Sequence, residues 1–325
     1  QKREYYFNKM KKLSIVLFLS ISLSSVAQDV HFSQFKASSF LLNPALVGAQ
    51  NNDYKATLQR KSQWASVSVP FSTFTLALER KDILPSHSIG LQFLNDIAGD
   101  SRFKTSGLNF TYVKSVATST ENTFRFGAEF GLFQRSIVVD DLVFNNPENL
   151  SNFNFTFPDI SLGVANQFFL NEDLLLETGI AFFHINKPKQ SFTDDDAIRL
   201  NQKINFHTAL NYAYTDNLSI QPKLVFSNQD TDKEFLLGCD VNYLLEAEQN
   251  VILKLGIAER FNDAVIFYFG AEIESLSCVV SYDVNTSNLA NASNNKGGFE
   301  FSVVYQWNVL KKEKSIKQEQ CPKYL

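Results

Sequence analysis

The chain has 325 residues, 31 of them phenylalanine, with a single methionine and two tryptophans. Its 34 acidic and 30 basic residues give a net charge of −4. The one basic cluster, KKEKSIKQEQCPK near the C-terminus, is interrupted by acids, so the clustered Lys/Arg footprint of a nucleic-acid binder is missing and no nucleic-acid partner is expected. Three cysteines, Cys239, Cys278 and Cys321, are too few for a disulfide framework at this length.

Residues 1–9 precede Met10 and are set aside from fold reasoning as upstream sequence. From Met10 the text MKKLSIVLFLSISLSSVAQ has a basic start (Lys11, Lys12), a short apolar core (Leu13 to Leu23) and small residues at Ser25 and Ala27. That is the pattern of a secretory signal peptide cleaved before Gln28. The apolar core falls short of the roughly 20 residues a spanning helix needs. No Cys stands at the cleavage point, which argues against a lipoprotein. Removing residues 1–27 takes away five basic residues and one acidic one, leaving the exported part at −8. The chain is therefore divided into 1–27 (upstream residues and signal peptide), 28–51 (an N-terminal periplasmic or lumen segment), 52–309 (the main fold) and 310–325 (a C-terminal periplasmic tail).

Within 52–309 apolar and polar residues alternate with period two, the signature of strands with two unlike faces. Leu108, Phe110 and Tyr112 alternate with Asn109 and Thr111. Phe124, Phe126, Ala128, Phe130 and Leu132 alternate with Arg125, Gly127, Glu129 and Gly131. Ile204, Phe206, Leu210, Tyr212 and Tyr214 alternate with Lys203, Asn205, His207, Asn211 and Ala213. In the last run Phe299, Phe301, Val303, Tyr305 and Trp307 oppose Glu300, Ser302 and Gln306, with Val304 as the exception. A soluble sandwich would put mixed aliphatics on its inner face. Here the polar face carries Arg, Glu, Lys, Asn and Gly in mid-strand, which suits a hydrated lumen with lipid outside.

Fourteen strands are placed at 52–60, 71–80, 86–95, 105–117, 121–135, 158–169, 173–184, 202–214, 217–227, 233–245, 250–260, 263–272, 275–284 and 297–309. Connections after even strands are short (KDILP, ATSTEN, LNEDL, YTDN, LEAEQ, IES). Those after odd strands read as longer, including NQDTDK and ERFNDA. The pattern predicts an all-β fold, a transmembrane antiparallel β-barrel of about 14 strands with short periplasmic turns and long extracellular loops, seated in outer-membrane lipid. An open edge in hydrocarbon would leave backbone groups unpaired, so the strand near Tyr54–Gln59 must pair with Phe299–Trp307.

Candidate contact residues lie outside the strands. His31, Phe32, Gln34, Phe35, Asn43 and Pro44 precede the first strand, and their segment either plugs the barrel, docks a partner or simply packs in the lumen. Trp64, beside Arg60 and Lys61, is an interface anchor or an aromatic-belt residue. Asn288, Leu289 and Asn294 lie in an Asn/Ser/Gly-rich external loop, where Gly297-Gly298 permit tight geometry before the last strand. Cys321 and Pro322 lie in the tail, which docks a periplasmic component or is a remnant. Asp194, Asp195 and Asp196 lack the spacing and Gly of an EF-hand loop, so a solvated loop tip is expected and no metal. His207 and Glu129 face the lumen, but no G-x-S-x-G, H-E-x-x-H or P-loop accompanies them. No catalytic residue and no cofactor are expected.

Several segments in order resemble one known family. HFSQF (His31–Phe35), LLNPALVG (Leu41–Gly48) and YKATLQRKSQW (ending at Trp64) resemble the opening of the PorP/SprF family. GIAFFHINKPKQSF (Gly179–Phe192) is similar to its mid-barrel segment, and YDVNTSNLANASNNKGGFEFSVVY with the Cys321-Pro322 tail to its ending. Lys36 departs from the family, where an aromatic is common, and so does the Tyr324-Leu325 end. The resemblance implies a non-enzymatic outer-membrane protein of Bacteroidetes tied to type IX secretion and gliding motility. It also implies two kinds of partner: a large secreted, adhesin-like protein bearing a C-terminal sorting domain, and periplasmic components of the secretion and gliding machinery. A diffusion barrel for a solute or hydrophobic molecule is the alternative function.

Overall fold

In the computed structural model, strand text becomes one continuous wall. The structure describes residues 29–63, 70–99, 102–137, 153–192, 195–248, 250–287 and 296–309. Fourteen antiparallel strands follow one another in chain order: β1 (Tyr54–Gln63), β2 (Phe71–Leu84), β3 (His87–Ala98), β4 (Phe103–Ala117), β5 (Asn122–Ile137), β6 (Phe153–Asn171), β7 (Leu174–Phe183), β8 (Lys203–Thr215), β9 (Leu218–Gln229), β10 (Asp232–Glu246), β11 (Val251–Arg260), β12 (Ala264–Ile273), β13 (Leu276–Asn285) and β14 (Lys296–Trp307). The barrel closes by pairing of β1 with β14, in register from Tyr54↔Trp307 to Gln63↔Gly298. Closure gives every strand two neighbours, the condition for carrying backbone polar groups through hydrocarbon. No helix among the described residues is long and apolar enough to cross a membrane.

The alternation sorts the faces as the sequence requires. Leu76, Leu91, Leu108, Phe110, Phe126, Phe130 and Phe299 are exposed on the outside, while Gln59, Lys61, Glu79, Gln92, Thr111, Glu129, Asn205 and Glu300 are buried within. The half-buried thiols of Cys239 and Cys278 are free. Each lies one position from an inward-facing residue, Asp240 and Ser277 respectively, and so points outward.

Two sequence expectations are corrected. The long-and-short alternation of connections is not strict: β9–β10 turns within Asp230 and Thr231, and β11–β12 within Phe261 to Asp263. Asp230 (φ 55°) and Asn262 (φ 60°) take the left-handed conformation that Asx side chains tolerate, so the strands run on into text that reads as loop. Second, β6 begins at Phe153 rather than at 158, because Pro158 does not end it. Pro158 pairs with Leu132 of β5, and its missing N–H falls on the other edge, where Asn186 Nδ2 donates to the Pro158 carbonyl at 2.8 Å.

Residues 29–53 thread the lumen. Within them lie one helical turn, α1 (Ser39–Leu42), and a 3-10 turn at Pro44–Leu46. Phe35 and Leu42 pack with Val225, Leu236, Ala258, Ile266 and Tyr268 of the wall. Phe40 and Val47 pack with Ala77 and Val113 on the opposite side.

A charge on the lipid face at mid-strand should cost roughly 2–4 kcal/mol. The variant Phe301→Arg is therefore expected to lose heat stability as a detergent-extracted barrel, measured by the temperature at which its gel migration shifts to the unfolded position. An unchanged temperature would contradict the outward face of β14.

Candidate functional site: the lumen plug and the chamber beside it

The segment 29–53 is held from end to end by polar contacts to the wall. At the long-loop end Asp29 meets His184 Nε2 at 2.6 Å, and His184 Nδ1 lies 2.9 Å from Asp159 of β6. His184 follows β7. Burial alone would push its pKa down, but the Asp29 carboxylate, with hydrogen bonds to Asp159 and Asp29, outweighs this and raises it to about 10. Asp29 is half-buried, which would raise its pKa, yet its contact with the imidazolium holds it well below the usual carboxylate range.

Next comes a lattice of buried charges. The N–H groups of Ser33 and Gln34 donate to the Glu300 carboxylate at 2.7 and 2.9 Å. The Ser33 hydroxyl donates to Asp283 at 2.7 Å. Arg260 reaches Asp283 (3.3 Å), Asp263 (2.9 Å) and Glu234 (3.6 Å), and also donates to Ser33 Oγ at 2.8 Å. Lys61 donates to the His31 carbonyl at 3.1 Å. Burial and the nearby Lys61 and Arg260 push the His31 pKa well down, so His31 is neutral. Gln34 bonds to Ser281 and Ser302. A buried ion group is stable only when each member keeps its partners, so the two residues Ser33 and Gln34 fix this lattice and are fixed by it.

Midway, Asn43 joins the plug to three strands. Its Oδ1 accepts from Ala45 N–H at 2.9 Å, and its Nδ2 donates to the carbonyls of Val164 and Ile180 at 3.0 and 3.3 Å. The same nitrogen lies 3.1 Å from His207 Nε2. The wall admits this approach because it has no side chains there. A Cβ on Gly163 would fall 2.0 Å from Asn43 Oδ1, and one on Gly127 would fall 2.4 Å from Ala45 N. Gly127 and Gly163 are register partners on β5 and β6, so they form one groove. At the short-turn end Arg125 donates to the carbonyls of Ala45 and Val47 at 2.9 and 2.7 Å. Glu79 accepts from Gly48 N–H at 2.7 Å and pairs with Lys55 at 2.7 Å.

Sequence reasoning placed His31, Phe32, Gln34, Phe35, Asn43 and Pro44 in one segment, and the structure gathers them inside the barrel. All but His31 are buried. Within the lumen, Asp29 lies at the long-loop end and the chain descends to Tyr54 at the short-turn end. The reason is polar pairing, since Asp29 finds His184 and Gln229 only at that end. Trp64, Asn288, Leu289, Asn294, Cys321 and Pro322 lie outside the described residues, as does Asp194. Asp196 sits on an exposed tip, paired with Lys189 at 3.0 Å. Sequence reading missed Arg260, Asp283, Glu79 and the glycine groove. Inward polar residues were visible, but only the register shows which of them meet.

Beside the plug, toward the short-turn end, is a cavity of about 530 Å³ lined in part by Lys36, Glu177, Lys223, Asp240, Lys254 and Glu272. Lys223 and Lys254 are paired with Asp240 and Glu272. Glu177 accepts from Gln167 and Asn211 at 2.9 and 2.8 Å. The Lys36 ammonium has no ion pair among the described residues. The lining mixes these charged groups with apolar surface from Phe35, Leu42, Leu46, Leu175 and Tyr268.

A closed fourteen-stranded barrel, greasy outside and filled inside by its own N-terminal segment, is an outer-membrane protein. The sequence matches the family of the type IX secretion system membrane protein PorP/SprF over residues 24–305. The chain belongs to that family. No curated protein matches it. Among solved structures it is similar to the Ralstonia pickettii toluene transporter TbuX, with a TM-score of 0.53 and 8% identity over 84% of this chain and 94% of that one. It is also similar to the CymD monoaromatic hydrocarbon channel, with a TM-score of 0.50 and 9% identity over 84% and 93%. At such identity the likeness is one of fold.

Two measurements test the plug. Gly163→Ala adds a carbon where Asn43 already sits, an overpacking worth about 1–3 kcal/mol. It should leave the barrel heat-modifiable while making residues 29–53 more accessible to protease. The Asp29–His184 contact should also give the plug a pH profile. For His184, whose pKa is raised on folding, the stabilisation is complete below an unfolded value of about 6.5, declines above it and is gone past about 10. For Asp29, whose pKa is lowered, it is complete above about 3.9 and is lost as the pH falls. Amide exchange in residues 29–34 should therefore be most protected, once corrected for intrinsic rate, between about pH 4 and 6.5, and His184→Gln should flatten the alkaline limb.

Proposed function

We propose that this barrel is a non-enzymatic accessory of type IX secretion that assists export or surface anchoring of a large secreted, adhesin-like protein by holding its C-terminal sorting domain at the long-loop end. The observation that carries the reading is the plug. A lumen threaded by 25 residues and held at Asp29, Ser33, Gln34, Asn43 and Gly48 leaves no passage for a folded protein, so the barrel acts as a platform. Trp64 follows β1 at the long-loop end. Asn288, Leu289 and Asn294 belong to the connection between β13 and β14 at the same end. These four residues would meet the partner. His31, Phe32, Gln34, Phe35, Asn43 and Pro44 would support that surface from beneath, as the plug. Cys321 and Pro322 follow β14, which ends at the short-turn, periplasmic end, and would meet periplasmic components of the secretion and gliding machinery.

The alternative, a barrel for a solute or a hydrophobic molecule, draws on the 530 Å³ cavity. Planar-bilayer recordings separate the two: a silent membrane together with co-purification of one large secreted protein is expected, and stable open channels would favour transport. Deleting residues 313–325 should impair export or motility while barrel assembly continues, and normal function of that truncation would reject a docking role for the tail.

A further inference from the structure

β6 has 19 residues and β7 has 10, so β6 overhangs its neighbour. Ladder pairing between them stops at Leu162↔Phe182. One turn further out, Ile160 still uses that side: its carbonyl accepts from Ile185 N–H at 3.0 Å and its N–H donates to Asn186 Oδ1 at 3.1 Å. The Pro158 carbonyl accepts from Asn186 on the same side. Alternate residues of an antiparallel strand point their backbone groups the same way. The N–H and C=O of Thr156 and Asn154 therefore face this edge too, and among the described residues nothing bonds to them. Asn154 and Thr156 are exposed. The β5 side of this stretch is taken by Phe153, Phe155 and Phe157, in register with Ile137, Arg135 and Phe133 of β5.

The edge does not face open solvent directly. A slot of about 320 Å³ separates Phe155, Thr156, Phe157 and Pro158 from Asn186 and Pro188. The far wall, which includes Lys189 and Ser191, is tied in part into a small hairpin of its own: Leu200 N–H donates to the Pro188 carbonyl and Gln190 N–H to the Ile198 carbonyl, both about 2.9 Å or shorter. On the lumen side of the slot Phe155 stacks edge-on against Phe192, with ring centroids 4.8 Å apart. Two donors and two acceptors at strand spacing, with an aromatic floor, are complementary to extended backbone and to little else.

We propose that the β6 overhang at Asn154–Thr156 binds an extended segment of the exported partner as an added strand, entering the slot beyond the point where Asn186 takes the Pro158 carbonyl. Its paired stretch is about three residues long, set by Asn154–Thr156 at roughly 3.4 Å per residue. Alternate side chains are apolar where they meet Phe155 and Phe157 and polar where they lie beside Asn154 and Thr156. This rests on the reading under Proposed function and specifies its contact.

The test uses Thr156→Pro, which removes only the N–H that faces the slot, in the full chain. The proline should leave β5 pairing and heat-modifiable migration in place while cutting surface retention of the exported protein by roughly tenfold, as expected for a lost hydrogen bond and a steric block. Retention equal to the parent, in a strain where deleting the whole barrel does release the protein, would overturn the added strand and leave the platform reading standing. If deleting the barrel releases no exported protein, both fall. A second measurement covers a proline variant that fails to assemble. Amide exchange at residues 154 and 156 of the unaltered chain should be fast in the isolated barrel and slowed in the purified complex. Slow exchange in the isolated barrel at every concentration would mean that this chain covers its own edge, and slowing that depends on barrel concentration would mean a second copy does. Either result would overturn the proposal, as would amides that stay fast in the complex.

Discussion

Hydrocarbon offers no hydrogen bonds, and this decides most of the molecule. Each unpaired backbone group in lipid costs several kcal/mol, so the wall must close, and Tyr54–Gln63 must find Gly298–Trp307. Closure with one apolar face outward leaves mostly polar residues facing inward, with apolar patches at Val225, Leu236, Ala258 and Ile266. The rest of the inside is not a hydrophobic core. It is a ring of Lys, Arg, Glu, Asp, Gln and Asn that needs either water or a partner of matching polarity.

The N-terminal segment is that partner, and its composition follows from the wall it meets. Its buried anchors are short polar residues, Ser33, Gln34, Ser38, Ser39 and Asn43, with Phe35, Phe40 and Val47 at the few apolar patches. Small residues let the plug backbone come within bonding distance of Glu300, Arg125 and Glu79, and the facing glycines do the same from the other side. A buried ion pair contributes little net stability, but breaking it costs several kcal/mol. The lattice around Arg260 and Asp283 therefore acts mainly to specify where Ser33 sits.

The sequence was most legible where lipid imposes the pattern. Period-two alternation located fourteen strands and their faces, since a one-residue slip would turn Phe126 or Phe130 inward. It was less legible where geometry overrides local text. Pro158 reads as a strand boundary until one knows which edge its nitrogen faces, and Asp230 and Asn262 read as loop until they are seen to turn in two or three residues. For the plug, HFSQF and LLNP marked a distinct segment, but the glycines that receive it, Gly127 and Gly163, lie on β5 and β6 and look like ordinary strand weakeners. Contacts between residues more than 100 positions apart, such as Asn43 with Val164, leave no local signal.

The two ends of the barrel carry different kinds of surface, and β6 connects them to the plug. Asp159, one residue from Pro158, turns its carboxylate into the lumen to accept from His184, which in turn holds Asp29. The next odd positions outward, Phe157 and Phe155, carry the aromatic floor of the slot, while Arg135 of β5 lies over the rings of Phe103 and Phe157 at 5.3 and 5.5 Å. One strand thus holds the start of the plug on its inner face and, past the end of β7, leaves the backbone of Asn154 and Thr156 without a partner among the described residues. A wall built only to seal a lumen would end β6 where β7 ends. The extra residues lie past β7 on the long-loop side, so a role for them is to be sought in what they touch there.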